Sequence, residues 1–572
     1  TDRAASDKAA ADSAAAMEGQ RKDLDKEINK EWVDDATKKA NEKLDDTGWF
    51  NVVTDGEATD AMNILNSLPA DLQGDAVEKL DKDAFANLLD EVPEKRRAEF
   101  DTMVADTHDP ERKLQLWGEQ HKSQVEKDAA EEHKKTADEG GWDFWNDTKE
   151  QNHNEFLNSR RDEIIDSTKD EVDDEMKELM AKQKAGTLTE ADVQAVMDRK
   201  KREHEIEMKF NVNLTNQEGS RKDGSKIAWT PDQLDQIESA LGRAPADAVR
   251  DNEQLKMIER RELPDDGDTG TRGDHLDGVI NIYDAVNDPS RQHSGDKREL
   301  ADPSLAPAPG SPIATLELTL DHELGHDVAD MNPEVYKKYK NAVGWQSNVG
   351  DDEMLKAGLT QAQIDELHQA KKDGKHKEFS VNGKVFETSQ YNRDGDVSSF
   401  QDGAIPSQAN GAQPSQQAAA SQDTWWYARR NADDNFAEHY TKAIHLPETL
   451  AKDMIDAPAN RVTAAAASAK QAEDDLKAEQ AKPSPDPAKV KALEDAAKAQ
   501  KDALADAQSD QAAQKTQYDL MRNEIFHADA ETTAAEARLR AKGVDETKIT
   551  EFKAKAARAQ TPQQVKLIES QY

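Results

Sequence analysis

Two histidines separated by three residues carry the clearest chemistry in this sequence of 572 residues. His322 and His326 flank Glu323 in the pentapeptide His-Glu-Leu-Gly-His. Residues four apart lie on the same face of an α-helix, so both imidazoles can bind one zinc ion. The glutamate between them can accept a proton from the water that zinc activates. The pentapeptide therefore predicts a zinc-dependent hydrolytic site, provided that the elements around it support one.

The segment from Ser311 to Met331 is predicted to be the helix that carries this pentapeptide. Ser311 suits a helix cap, and Pro312 suits the first helical position. An apolar stripe at four-residue spacing should face a core and consists of Leu316, Leu320, Leu324 and Val328. The histidines lie about 200° around the helix from that stripe and should face a cleft. Gly325 costs a helix up to about 1 kcal/mol, which indicates that another group approaches closely there. The alternative is that both histidines are only polar surface of an acidic helix.

Composition limits the partners of this chain. Acidic residues outnumber basic ones by 118 to 76, and the net charge of −42 disfavours binding to nucleic-acid backbones or anionic membranes. The sequence has no cysteine, so nitrogen and oxygen atoms must hold any zinc. No apolar run reaches the roughly 18 residues of a membrane span, and the first residues lack the apolar stretch of a signal peptide. We therefore expect neither a nucleic-acid partner nor a membrane span.

Shifts in composition divide the sequence into four predicted segments. Residues 1–122 combine a solvated helix with a small bundle of short helices, and residues 123–204 form an acidic helical connector. Residues 205–455 are predicted to be a catalytic domain with both helices and strands. Residues 456–572 form an alanine-rich helical hairpin followed by short helices. The prediction is an α+β fold that is mostly helical, with long solvated helices at both ends.

Local patterns predict the frame of the catalytic domain. Apolar and polar residues alternate from Ile206 to Leu214, which predicts a strand. Thr230-Pro231 predicts the start of a helix. Gly278 to Val286 predicts a second strand, which could be a sheet edge that pairs with an extended peptide. Asn382-Gly383 predicts a hairpin, and the residues from about 388 to 423, rich in Gln, Ser, Ala and Gly, predict a mobile insertion.

A catalytic zinc usually takes three protein ligands, so a third ligand has to be found. The segment from Asn431 to His439 is a predicted helix after the insertion, and its Glu438 would project toward the zinc. The separation from His326 is 438 − 326 = 112 residues, which the inserted hairpin and loop would account for. Carboxylates nearer the pentapeptide are the alternatives, namely Asp330, Glu334 and Asp352.

The segment from about 205 to 460 resembles the gluzincin-type domain of bacterial toxin metallopeptidases akin to anthrax lethal factor. In that family a strand and a proline-bearing helix precede an HExxH helix, and a later Y-x-x-x-N-P-x-E-D-F-A-E-like segment carries the third ligand. The matching residues of this later segment are Tyr427, Asn431, Phe436, Ala437 and Glu438, whereas Ala432 and Asn435 depart from it. The resemblance implies a zincin-like metallopeptidase domain with Zn²⁺ as its cofactor and His322, His326 and Glu438 as the metal ligands.

By this interpretation the chain is a zinc-dependent metalloendopeptidase that cleaves a protein or peptide substrate. Glu323 takes a proton from water and passes it to the leaving amine. A further donor for the oxyanion is expected, and the candidates are Tyr427, Tyr440 and His439.

The stretch from Leu65 to Trp117 is similar to helical segments in cargo proteins of extracellular contractile injection systems. This similarity implies a toxin or effector that is secreted, or delivered into a target cell by an injection apparatus. The alternative is a structural or interaction component of such a particle, with a degenerate zincin domain. The long acidic helices favour that alternative, and the intact pentapeptide opposes it.

Overall fold

The computed structural model describes residues 2–45, 53–139, 148–217, 221, 226–264, 271–287, 313–346, 348–372, 377–388, 397–401 and 432–572. Within these ranges the chain is mostly helical and has two small sheets, in agreement with the predicted α+β class. The chain forms two compact units, Thr1–Glu205 and Ile206–Tyr572. None of the helices in these ranges has the length and hydropathy that crossing a membrane requires.

All the secondary-structure elements in the described residues of the first unit are helices. They are α1 (Asp2–Leu44), α2 (Asp55–Asn66), α3 (Ala70–Glu78), α4 (Lys82–Glu91), α5 (Glu94–Ala105), α6 (Pro110–Glu139), α7 (Thr148–Lys184) and α8 (Glu190–Phe210), which continues into the second unit. Helices α3 and α5 begin after Pro69 and Pro93, because a fixed φ suits the start of a helix. Their apolar faces meet in a core that includes Val77 of α3 and Phe100 of α5. Helix α6 runs unbroken across residue 122, so the segment boundary predicted there does not interrupt the structure.

A buried pair of histidines lies where α6 meets α8. The ring of His121 stacks on Trp117 with centroids 5.8 Å apart, and the ring of His204 meets it edge-on with centroids 5.9 Å apart. Nε2 of His204 lies 3.1 Å from Oδ2 of Asp128. Burial lowers the pKa of His121 to about 4, and the neighbouring His204 and Lys200 add to this effect. His121 is therefore neutral at physiological pH.

The second unit contains a four-stranded sheet. Its strands are β1 (Asn213–Asn216), β2 (Met257–Arg261), β3 (Gly273–Leu276) and β4 (Val279–Tyr283). Their order is β1-β2-β4-β3, with β3 antiparallel to β4 and the other pairs parallel. The strand predicted within 278–286 is confirmed as β4, but the prediction that it forms an edge is wrong. Strand β4 pairs with β2 on one side and with β3 on the other, so among the described residues β3 forms this edge of the sheet.

The strand predicted from Ile206 to Leu214 is wrong over most of its length. Residues up to Phe210 belong to α8, and only residues 213–216 form β1. Ile206 and Phe210 are four apart and therefore also fit a helical stripe, and the lysine, arginine and glutamate residues before them favour a helix. The helix ends at Asn211, whose φ of 53° is left-handed.

Helices α9 (Pro231–Arg243) and α10 (Thr315–Met331) pack on the apolar face of this sheet. Helix α9 begins as predicted, since the hydroxyl of Thr230 accepts from the backbone N–H of Gln233 and the side chain of Gln233 accepts from the N–H of Thr230. The apolar stripe predicted for α10 is confirmed, because all four residues lie in the main core: Leu316, Leu320, Leu324 and Val328. The predicted start at Ser311-Pro312 is wrong, because the described residues Ile313 and Ala314 precede the helix and Ala314 is its cap; residues 311 and 312 themselves lie outside the described residues.

After α10 the chain forms a small second layer of helices and strands. These elements are α11 (Pro333–Ala342), α12 (Asp351–Ala357), α13 (Gln361–Lys372), β5 (Lys377–Val381), β6 (Lys384–Thr388) and β7 (Ser398–Gln401). The hairpin is confirmed, since β5 and β6 pair around Asn382 and Gly383, whose φ values are 47° and 77°. Strand β7 pairs with β6, so the prediction of a mobile insertion from 388 to 423 is wrong for residues 397–401. Residues 389–396 and 402–423 lie outside the described residues.

The remaining helices complete the second unit. They are α14 (Ala432–His445), α15 (Pro447–Ala451), α16 (Ala457–Gln480), α17 (Pro487–Leu520), α18 (Ala528–Ala541), α19 (Glu546–Ala556) and α20 (Pro562–Glu569). Helices α16 and α17 form the predicted hairpin, much of which is exposed. Tyr518, Met521 and Phe526, at and beyond the end of α17, are buried in the main core. Residues 456–572 therefore share a core with the predicted catalytic domain.

Candidate metal centre

Helix α10 brings the two histidines of the pentapeptide to one point. His322 and His326 lie one turn apart, and their Nε2 atoms are 3.2 Å from each other. The side chains are 11% and 21% exposed, so both are largely withdrawn from water. This spacing of two imidazole nitrogens fits two ligands of one metal ion.

Helix α14 packs against α10 and brings carboxylates to the histidines. Gly325 lies at the contact, where an added Cβ would come within 2.7 Å of Cα of Ala437. The glycine therefore permits the close approach that the sequence predicted. Nε2 of His445 lies 2.5 Å from Oδ2 of Asp321, and both side chains are fully buried. Asp321 precedes Gly325 on α10, whereas His445 follows Ala437 on α14, so the two helices run antiparallel.

The third group at this point is Asp434 of α14. Its Oδ1 lies 3.7 Å from Nε2 of His322 and 3.6 Å from Nε2 of His326. A tetrahedral zinc with bonds of about 2.1 Å holds its ligand atoms about 3.4 Å apart. The separations of 3.2, 3.6 and 3.7 Å lie close to that value, so the three atoms fit one face of a tetrahedral site.

This geometry favours Asp434 over Glu438, whose role as the third ligand stays a prediction from the sequence. Oε1 of Glu438 lies 3.2 Å from Nδ1 of His322, whereas Nε2 is the nitrogen that faces Asp434. Residues 434 and 438 are four apart and share a helix face, so the sequence could not decide which of them reaches the metal. The nearer carboxylates that were alternatives are exposed and stand outside this cluster of the described chain: Asp330, Glu334 and Asp352.

Glu438 lies beside Nδ1 of His322 and influences the charge of this imidazole. A carboxylate beside Nδ1 favours the tautomer that leaves Nε2 for the metal. Burial alone would lower the pKa of His322, but the carboxylates of Asp434 and Glu438 outweigh burial and raise this pKa well above its ordinary value. A metal ion that binds here must therefore displace a proton.

Glu323 lies beside the cluster, between α10 and strand β3. Its Cγ is 3.2 Å from the place where a Cβ on Gly273 of β3 would stand. Burial raises the pKa of Glu323 to about 7, against the lowering effect of His322, and the carboxylates of Asp274 and Asp434 also raise it. A carboxyl group with such a pKa can both accept and release a proton at neutral pH.

The predicted oxyanion donors that the structure describes belong to the packing of α14. Tyr440 is fully buried, and its ring stacks on Phe526 with centroids 5.0 Å apart. His439 is also fully buried, with Nδ1 3.1 Å from the hydroxyl of Tyr339, and burial lowers its pKa to about 3. Tyr427 lies outside the described residues.

No protein family model, no curated protein and no solved structure matches this chain. The function of the chain is therefore inferred from its sequence and from the geometry of these residues.

Proposed function

We propose that the chain is a zinc-dependent metalloendopeptidase. One observation carries the proposal: Nε2 of His322, Nε2 of His326 and Oδ1 of Asp434 converge beside the buried carboxyl group of Glu323. Two imidazoles and one carboxylate are a ligand set of catalytic zinc, and three protein ligands leave a position for water or substrate. The sequence has no cysteine that could close this position.

The residues around the cluster suit peptide hydrolysis. Zinc at this site would polarise a carbonyl oxygen and lower the pKa of a water molecule. Glu323 would take a proton from the attacking water and give it to the leaving amine, and a pKa of about 7 supports both transfers. Glu438 would hold the ring of His322 in place while this happens.

Strand β3 is suited to hold an extended peptide along the site. Among the described residues it pairs with β4 alone, so its other edge can form main-chain hydrogen bonds. Gly273 of this strand lies against Glu323. A peptide that adds to β3 would therefore carry its carbonyl groups past Glu323, so β3 replaces β4 as the strand proposed to pair with the substrate.

We also propose that the peptidase acts as a toxin or effector after secretion or injection into a target cell. This localisation is inferred only from the resemblance that the sequence of residues 65–117 bears to helical segments of injection-system cargo. The acidic surface expected from a net charge of −42 supports a protein substrate over nucleic acid.

A comparison of protein N-termini in candidate host lysates tests the proposal. One lysate receives the zinc-loaded chain and the other receives the Glu323→Gln variant, which keeps the proposed metal ligands. New N-termini that appear only with the parent chain would support a peptidase. Identical N-termini in both lysates, with one zinc per chain in both proteins, would favour the structural alternative.

A further inference from the structure

An ion pair joins strand β3 to helix α10 one turn beyond Glu323. Nε2 of His275 lies 3.0 Å from Oδ1 of Asp327, and these side chains are 6% and 0% exposed. Burial alone would lower the pKa of His275, but the hydrogen bond with Asp327 outweighs burial and raises it. Breaking a buried pair of this kind leaves an uncompensated charge, so the pair resists rearrangement.

The other oxygen of Asp327 is held from the opposite side by Asn252. The side-chain amide of Asn252 donates to Oδ2 of Asp327 and, at 3.1 Å, to the carbonyl oxygen of Ala248. Its side-chain oxygen accepts from the backbone N–H groups of Gln254 and Leu255 at 2.8 and 3.1 Å. Asn252 is thus fixed by its own turn, and it fixes Asp327 in a single position.

Strand and helix also touch at a second point nearer to the metal ligands. A Cβ on Gly273 would lie 2.7 Å from Cγ2 of Thr319 and 3.2 Å from Cγ of Glu323. Gly273 and His275 share one face of β3 because side chains alternate along a strand. Thr319, Glu323 and Asp327 share one face of α10 because they are four apart. Strand β3 therefore lies along this face of α10, with Gly273 beside Glu323 and the His275–Asp327 pair one helical turn further along.

We propose that His275 is a positioning residue of the peptidase, which fixes the register and separation between edge strand β3 and the Glu323 face of α10. The inference rests on the proposed function, since it assigns the strand that holds the substrate. The ladder with β4 and the side chain of Asp274, which accepts from Asn281 and Tyr283 at 2.7 and 2.6 Å, hold β3 to the sheet but do not set its distance from α10. The bond to Asp327 supplies the missing constraint, so that a peptide on β3 presents its backbone at a set distance from the metal.

Two zinc-chelating probes separate this function from the metal site itself. Acetohydroxamate reaches only the metal, whereas pentaalanine hydroxamate also offers a backbone that can pair with β3. The full chain, loaded with zinc, is compared with His275→Ala and with His275→Gln, whose amide can still donate to Asp327. His368→Ala is the matched control, because His368 makes the same type of pair with Asp351 at 2.7 Å on an exposed surface, 46% and 53% exposed.

We expect His275→Ala to bind pentaalanine hydroxamate about ten- to a hundredfold more weakly, with zinc content and acetohydroxamate affinity unchanged. His275→Gln should recover most of the loss, and His368→Ala should match the parent chain. Hydrogen exchange should show faster exchange of β3 amides in His275→Ala and unchanged protection of α10.

Other outcomes would overturn the inference. Equal losses for both probes would mean that His275 supports the metal site and not the strand. A parent chain that binds the peptide probe no more tightly than acetohydroxamate would show that β3 holds no substrate, while the metal site would stand. A parent chain that binds neither zinc nor acetohydroxamate would overturn the proposed function together with this inference.

Discussion

Asp434 and Glu438 lie one helical turn apart on α14, and we expect their replacement to weaken zinc binding to different extents. Oδ1 of Asp434 faces the two Nε2 atoms, whereas Glu438 meets only Nδ1 of His322. Four-ligand zinc sites release about 10 to 16 kcal/mol on binding, or about 3 kcal/mol for each ligand. Asp434→Ala should therefore weaken zinc binding about a hundredfold or more. Glu438→Gln removes an orienting partner and should weaken it by about tenfold.

Competition with a fluorescent zinc chelator at pH 7.5 measures both effects in the purified chain. Asp433→Ala is the control, because Asp433 is the adjacent aspartate of α14 but is exposed and accepts a hydrogen bond from Tyr336. Its zinc affinity should equal that of the parent chain. If Glu438→Gln loses as much affinity as Asp434→Ala, or if Asp434→Ala behaves like the control, the assignment of Asp434 as the third ligand is wrong.

Three further predictions concern the base, the helix contact and the first unit. Glu323→Gln should keep its zinc and lose peptide cleavage at least about a hundredfold, and retained cleavage would exclude Glu323 as the base. Gly325→Ala should destabilise the second unit by about 1 to 3 kcal/mol, because its Cβ would meet Cα of Ala437 at 2.7 Å. Gly118→Ala is the helical control, because a Cβ on Gly118 would lie no nearer than 3.5 Å to the atoms of Met176. This variant should leave the free energy of unfolding unchanged or raise it by up to about 1 kcal/mol, and thermal unfolding distinguishes the two variants. The pKa of His121 is lowered from 6.5 to about 4, so between these pH values the unfolded chain binds a proton that the folded chain does not. Acidification from pH 6.5 to 5 should therefore cost the first unit about 1.5 kcal/mol through this group. Urea titrations of His121→Gln should show a smaller loss of unfolding free energy, and equal losses in the two proteins would contradict this assignment.

The features that the sequence predicted correctly depend on neighbours within a few residues. The stripe through Leu316 and Leu324, the cap at Thr230 and the turn at Asn382-Gly383 each follow from local spacing or backbone preference. These local structures form as the sequence predicts, because contacts with distant segments are compatible with them.

The features that the sequence missed depend on contacts between distant segments. The sequence does not show which of Asp434 and Glu438 faces the Nε2 atoms of the histidines, because this depends on the position of α14 along α10, where Gly325 meets Ala437. Strand β7 becomes a strand by pairing with β6, although its own residues give no strand pattern. The function of His275 is likewise visible only once Asp327 lies beside it, more than fifty residues later in the chain.

The packing behind α14 determines when the metal site can be completed during synthesis. His326 leaves the ribosome 434 − 326 = 108 residues before Asp434, which is itself 564 − 434 = 130 residues before Gln564. The side chain of Gln564 donates to the carbonyl oxygens of Ala443 and Ile444 at the end of α14, at 2.8 and 3.1 Å. A nascent chain that already displays the histidine pair therefore lacks the support that holds Asp434 in place. We expect arrested chains that end before residue 564 to retain zinc poorly against a chelator, so that the candidate metal centre forms late in synthesis, after most of the protein is made.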